Sequence, residues 1–245
     1  MSISKNQVKW VKGLRLKKNR YNEKCFVAEG VKTVCEFIHA KYDLEAMFCL
    51  EDSEKEFETY NPQIITFQEL NKISNLKSPN KVLAVFKMPE AKELQSSGIK
   101  LVLDDINDPG NLGTIIRLCD WFGVQDLICS PNTVDCFNSK VVQSTMGSLS
   151  RVNICYQDIE TYVQKESKMC YVADMDGEEI YHQNFSDNAI IVMGNEANGV
   201  SASMKKTADK IISIPRFGSV KATESLNVAT ATAIILSEFK RVTER

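Results

Sequence analysis

Histidine is scarce in this 245-residue chain: His39 and His182 are the only two. A His-rich metal site cannot be assembled from them, and a Ser–His or Cys–His nucleophile pair would have to rest on one of them. His39 sits in the helix-patterned VKTVCEFIHAKY and His182 in the polar IYHQNFSD, so both read as surface or packing residues and no metal site is expected. The eight cysteines include no C-x-x-C pair and are too sparse for a disulfide scaffold. They read as free, buried thiols in a reducing compartment. Eleven glycines and six prolines are too few for a disordered or collagen-like chain. No apolar run approaches the roughly 20 residues that span a bilayer. The opening MSISKNQVKWVKG has no signal-peptide core. A cytoplasmic protein with no membrane association is expected. Two nucleotide signatures are also missing. No G-x-G-x-x-G follows a strand, which argues against a Rossmann oxidoreductase, and no G-x-x-x-x-G-K-[ST] exists, which excludes a P-loop.

What is present begins with charge. The formal net charge is −2, but residues 1–24 hold eight Lys and Arg against Glu23 alone. A basic end on an acidic protein suggests contact with a polyanion, since neutralised phosphates release counterions. The alternative is a solvated basic helix. Trp10 and Tyr21 lie within the run and could stack on bases.

Short β-rich runs then alternate with helical patterns. In the first part FVAE (26–29), LEAMFCL (44–50), QIITF (63–67) and KVLAVFK (81–87) read as strands. Residues 29–41, with Val31, Val34, Cys35 and Ile38 on one face, and residues 66–75 read as helices. The polar PEAKELQSSG marks a linker, giving domains 1–90 and 99–245 joined by 91–98. In the second part strands are expected at 99–106, 123–129, 168–174, 189–194 and 210–215. Helices are expected at 112–122, 138–147, 157–167, 201–208 and 226–243. This alternation predicts an α/β domain with a mostly parallel sheet, and ligands of such sheets bind beyond the carboxyl ends of the strands.

Three loops leave those ends. The first is DDINDPGNLGTIIRLCDWFGV. It holds a turn at Asp108–Asn111, Asn111 placed to cap a helix beginning near Leu112, and a polar stripe of Gly113, Thr114, Arg117 and Asp120. Its plain structural reading is a turn plus an Arg117–Asp120 surface pair. In the second, IVMGNEANGVS, Gly194 would let a ligand approach the backbone and Glu196 would sit at the strand's carboxyl end. Its plain reading is an Asn198–Gly199 turn and a Ser201 helix cap. The third, IPRFGSVKATESLNVATATAIIL, runs from Pro215 to a helix starting at Ser225 or Leu226. Its small residues suggest close packing, and its apolar sides suggest burial at a subunit contact. Capping is the plain reading of Ser225 and Asn227.

Taken in order, N-x-G-x-I-I-R, M-G-N-E-x-x-G and I-P…S-L-N-V resemble the SpoU (TrmH-like) family of RNA ribose 2′-O-methyltransferases of the SPOUT superfamily, over residues 100–240. KKNRYNEKCFVAEGVKTVCEFI looks like the small ribosomal-protein-like α/β substrate-binding domain that often precedes it. The resemblance implies a parallel sheet with a C-terminal trefoil knot and a homodimer. It implies S-adenosylmethionine held by Gly194, Asn195, Ile214 and Leu226, and a catalytic set of Asn111, Arg117, Glu196, Ser225 and Asn227. The implied reaction is methylation of a ribose 2′-hydroxyl in structured RNA, with ribosomal RNA favoured over transfer RNA. A non-catalytic RNA-binding protein retaining the fold is the alternative. Two departures from the pattern are visible. Ala197 and Asn198 stand where an acidic residue or glycine is more usual, and the loop Gly218–Ser225 is longer than is common. Arg216 and Lys221 could there reach RNA.

Overall fold

The computed structural model describes residues 2–218 and 225–243. The chain divides into two compact units, Met1–Ala91 with Asp135–Ser150, and Lys92–Val134 with Arg151–Arg245. The stretch 135–150, which the sequence pattern assigns to the second domain, thus groups with the first.

The first unit opens with two helices, α1 (Lys5–Gly13) and α2 (Lys17–Glu23). α1 starts on a capping box, with Ser4 and Gln7 each satisfying the other's backbone amide. The basic segment is therefore helical. Then follow β1 (Cys25–Glu29), α3 (Val31–His39), β2 (Leu44–Cys49), α4 (Glu54–Phe57), β3 (Gln63–Ile64), α5 (Phe67–Ile73) and β4 (Val82–Lys87). The sheet order is β1-β4-β2-β3, antiparallel except for β2–β3. Its core packs Val11 and Leu14 with Val27, Phe48, Leu70, Leu83 and Val85. Fully burying each such side chain is worth roughly 1.5–3 kcal/mol. The Phe26 ring also lies 4.8 Å from that of Phe137, tilted by 38°, so the inserted stretch packs on this unit's core.

The second unit starts with β5 (Lys100–Asp104), α6 (Pro109–Trp121) and β6 (Asp126–Cys129). The inserted stretch carries α7 (Ser139–Thr145). After it come β7 (Asn153–Tyr156), α8 (Ile159–Lys165), β8 (Met169–Glu179), β9 (Ala189–Gly194), α9 (Ala202–Lys206), β10 (Lys210–Ser213) and α10 (Val228–Thr243). The six strands form one wholly parallel sheet, ordered β10-β8-β9-β5-β6-β7. The strand β7 is absent from the sequence reading. Its four residues at the sheet edge are all half-buried and give no apolar run. The central β5 and β9 run apolar and buried because helices cover parallel sheets on both faces. Beneath the sheet Lys100 and Asp126 form a fully buried ion pair, and Asp126 also accepts the Gln95 N–H at 2.8 Å and Asn153 Nδ2 at 2.8 Å. Among the described residues no helix is long and apolar enough to cross a membrane.

Candidate active site

The site lies in the second unit, at the carboxyl ends of β5 and β9 and at the start of α10. Parallel pairing puts Asp104 beside Gly194, so the first two loops leave the sheet side by side. The first loop turns sharply. Asp105 has φ 61°, and its N–H donates to Ser130 Oγ at 2.9 Å. α6 begins earlier than expected: Pro109 takes its first position, and the cap is Asp108, whose carboxylate accepts the Asn111 N–H at 2.8 Å. The expectation that Asn111 caps this helix is therefore corrected. Its side chain is released for other partners.

Those partners are the other two loops. Asn111 Nδ2 donates to Glu196 Oε1. Asn227 Nδ2 donates to Asn111 Oδ1 at 2.9 Å. Asn227 Oδ1 in turn accepts the N–H groups of Ala229 and Thr230, at 3.0 and 3.2 Å, and so caps α10. The capping expected of Asn227 is thus met by one end of its amide, while the other end reaches Asn111. α10 starts at Val228, two or three residues later than the pattern suggests. Three segments far apart in sequence are joined by one line of hydrogen bonds, Glu196–Asn111–Asn227.

The second loop is closed on itself. Asn195 and Gly199 exchange backbone hydrogen bonds at 3.1 and 2.8 Å. Asn195 Oδ1 accepts from the Ala197 and Asn198 N–H groups. Asn195 Nδ2 reaches the Asp105 carbonyl at 2.6 Å, and Asp104 Oδ2 accepts the Ser201 N–H at 2.8 Å, tying this loop to the first. Ser201 caps α9, as expected. A Cβ on Gly194 would collide with the backbone of Gly199 and Val200. Glycine is therefore needed there for the loop's own chain.

Arg117 lies six residues beyond Asn111 on α6, about 9 Å along the axis. Its side chain is exposed and has no hydrogen-bond or ion-pair partner among the described residues. Asp120 is taken instead by Arg151 Nε, at 2.9 and 3.1 Å, so the expected Arg117–Asp120 pair does not form. Ser225 and Leu226 are exposed and precede α10, while Ile214 is half-buried just past β10. Arg216 is exposed with Nη2 2.9 Å from Met175 Sδ. Lys221 lies outside the described residues.

One element escapes the sequence reading. Between Val172, paired to Ile211, and Glu178, paired to Ile212, β8 makes a five-residue excursion, 173–177. Because Val172 also pairs with Val192, the excursion starts level with the end of β9. Ser213 Oγ donates to the Gly177 carbonyl at 2.8 Å, and a Cβ on Gly177 would lie 2.6 Å from the Ile212 backbone. The turn-prone Asp174–Gly177 inside a strand pattern is the signal for it.

The groups at this site suit a purine nucleoside. Leu226 is 48% exposed, and its peptide N–H and C=O have no partner among the described residues. Ile214 offers a second aliphatic surface. Peptide groups beside aliphatic side chains match an adenine's polar edge and flat faces.

A model described as the SpoU rRNA Methylase family matches residues 98–237, and an MRM3-like substrate binding domain matches residues 5–84. The chain is 29% identical over 241 residues to the 23S rRNA (guanosine(2553)-2′-O)-methyltransferase RlmP of Bacillus subtilis, covering 95% of this chain and 96% of that protein. A solved structure described as an RNA methyltransferase of the TrmH family, from Porphyromonas gingivalis, matches with a TM-score of 0.86 at 34% identity, covering 98% of both chains. The AdoMet-bound rRNA methyltransferase of Sinorhizobium meliloti matches with a TM-score of 0.84 at 26% identity, covering 98% of this chain and 97% of that one. With more than half its length matched by the family model, over a wholly parallel sheet whose loops meet at Asn111, this chain belongs to the SpoU rRNA methylase family.

Proposed function

We propose that the protein transfers a methyl group from S-adenosylmethionine to a ribose 2′-hydroxyl of ribosomal RNA. The observation that carries this is the Glu196–Asn111–Asn227 line, which draws three loops into one polar site at the carboxyl edge of the sheet. When bound, S-adenosylmethionine supplies an electrophilic methyl on a sulfonium leaving group. Gly194, Asn195, Ile214 and Leu226 would hold it. The chain's own residues then supply position. A ribose hydroxyl is a weak nucleophile that loses its proton as the new bond forms, and alignment of the two reactants accounts for much of the rate. Arg117 carries a planar, multidentate guanidinium. That fork is suited to the ribose oxygen and the neighbouring phosphate. Asn111 and Glu196 fix the loops around it, and Ser225 and Asn227 hold the substrate side.

In this reading residues 1–90 grip the RNA, chiefly through the exposed cations of α1 and α2, and residues 99–245 act on it. The chain past β10 threads the trefoil knot typical of the superfamily, and the enzyme works as a cytoplasmic homodimer. Support for the dimer comes from α6, which packs on α10 and exposes Thr114, Arg117 and the 84%-exposed Trp121 along one side. The test is a map of ribose methylation across total RNA from a deletion strain. One missing mark in ribosomal RNA, restored by the wild-type gene but not by an Arg117→Ala copy, is expected. An unchanged map would overturn the proposal. A missing mark in transfer RNA would move the substrate. Calorimetry showing no S-adenosylmethionine binding by folded protein would leave the non-catalytic RNA-binding alternative.

A further inference from the structure

The eight cations of residues 1–24 do not all face solvent. Lys9, Lys12, Arg15, Lys17 and Lys18 are exposed, but Arg20 is 3% exposed. Four of the five guanidinium N–H groups are used. Nε and Nη2 donate to Asp135 Oδ2, and Nη1 donates to the carbonyls of Leu14 and Arg15 at 2.9 and 2.8 Å. Those carbonyls belong to the corner between α1 and α2. Backbone hydrogen bonds also turn this corner, Arg15 N–H to the Lys12 carbonyl at 3.2 Å and Leu16 N–H to the Gly13 carbonyl at 3.1 Å, while Leu16 precedes α2 without a side-chain cap. Asn19 Nδ2 closes the first side on the Gly13 carbonyl at 2.9 Å, and Arg15 Nη2 reaches the Ser74 carbonyl at 2.6 Å. Asp135 is itself held. Its Oδ1 accepts the Phe137 N–H at 3.2 Å and the Tyr21 hydroxyl at 3.3 Å. Tyr21 is 46% exposed, with Lys17 Nζ 5.8 Å from its ring centre. One buried carboxylate, brought in from the stretch 135–150, therefore fixes both the bend between the two basic helices and the ring that stands among their cations.

We infer that Asp135 and Arg20 are positioning residues for RNA binding. Their buried pair sets the spacing of Lys12, Arg15, Lys17, Lys18 and Tyr21 on the face that meets the phosphate backbone. The inference rests on the reading that α1 and α2 grip RNA. A preset array of cations meets several phosphates at once, whereas a loose corner meets fewer, and each phosphate contact contributes to the salt dependence of binding.

The test uses the full chain with three variants. Arg20→Lys keeps a charge against Asp135 but lacks the fork needed to reach two carbonyls as well, so it is expected to stay folded. Asp135→Asn removes the charge and keeps an acceptor for Tyr21 and Phe137. Lys12→Ala with Lys18→Ala tests the underlying reading. RNA affinity is measured across a salt series, S-adenosylmethionine affinity by calorimetry, and kcat at saturating RNA. Arg20→Lys and Asp135→Asn are expected to weaken RNA binding about fivefold to tenfold and to flatten the log–log salt slope by about 1. kcat and cofactor affinity should stay within about twofold. Folded Arg20→Lys with wild-type RNA affinity and slope overturns the inference while the lysine variant still binds weakly. Parallel loss of cofactor affinity overturns it too, by making the pair a general stability element. Normal RNA binding by the lysine variant brings down the underlying reading, and the inference with it.

Discussion

Asn227 Nδ2 donates to Asn111 Oδ1 at 2.9 Å, across 116 positions of sequence. The same Asn227 caps α10 with its other amide atom. Two substitutions separate these tasks. Asn227→Ala loses both, and the lost cap costs about 1 kcal/mol, or roughly 2–4 °C in Tm. Asn227→Asp keeps an acceptor for the cap but has no donor for Asn111. Methyl transfer is expected to fall at least tenfold in both, with Tm nearly restored in the Asp variant. A wild-type transfer rate for Asn227→Asp would show that the link to Asn111 is idle.

Among the described residues Arg117 has no hydrogen-bond or ion-pair partner. Arg117→Ala is expected to abolish methyl transfer, to below about 1% of wild type, with cofactor affinity within a few-fold by calorimetry. Arg117→Lys should restore little, because a single ammonium cannot span a ribose oxygen and a phosphate as a planar fork does. Near-normal turnover in the alanine variant would refute the assignment.

Gly194→Ala would force a methyl into the Gly199–Val200 backbone. The loop must then open, and Asn195 loses its hold on Asp105. The expected result is a Tm lower by several degrees and cofactor binding weakened at least tenfold, read by thermal scanning and calorimetry on the same sample. Unchanged values for both would mean the loop yields without consequence.

Six of the eight cysteine thiols are buried. Burial pushes the Cys170 thiol up to about 12, with the nearby Asp209 carboxylate adding to it, and burial likewise pushes up the Tyr42 phenol to about 12. Both groups are neutral in the folded and unfolded chain at pH 7. As pH rises past 9 the unfolded chain ionises its thiol while the folded one does not. Stability should therefore hold up to about pH 9 and fall between 9 and 12. Urea unfolding at stepped pH checks this, and a flat stability to pH 12 would contradict it. Alkylation of native protein at pH 8 should be slow for the same reason.

Much of the architecture was legible in the chain. Strands β1, β4, β5 and β9 stand where run length puts them because their burial is nearly complete, and α3 stands where its period puts it, although it buries Thr33, Val34 and Phe37 while Val31, Cys35 and Ile38 of the expected face are only half-buried. The misses have local causes. β7 is a short edge strand without an apolar run. α6 starts three residues early because Asp108 and Pro109 cap it in place of Asn111. The excursion 173–177 hides within what reads as the end of a strand. Arg20 counts as a surface cation in any tally of charge, since its partner Asp135 is 115 positions away.

The sequence by itself determined the alternation of strands and helices, the basic start, and three loop motifs that resemble those of one methyltransferase family. These are local properties, carried by period, capping and side-chain chemistry. Only the tertiary structure decided which residues meet. It joined Asn111 to both Glu196 and Asn227, left Arg117 without a partner among the described residues, packed the Gly199–Val200 backbone against Gly194, and drew Arg20 inward onto Asp135. Such pairings depend on strand order and on where loops leave a sheet, and no spacing along the chain encodes them.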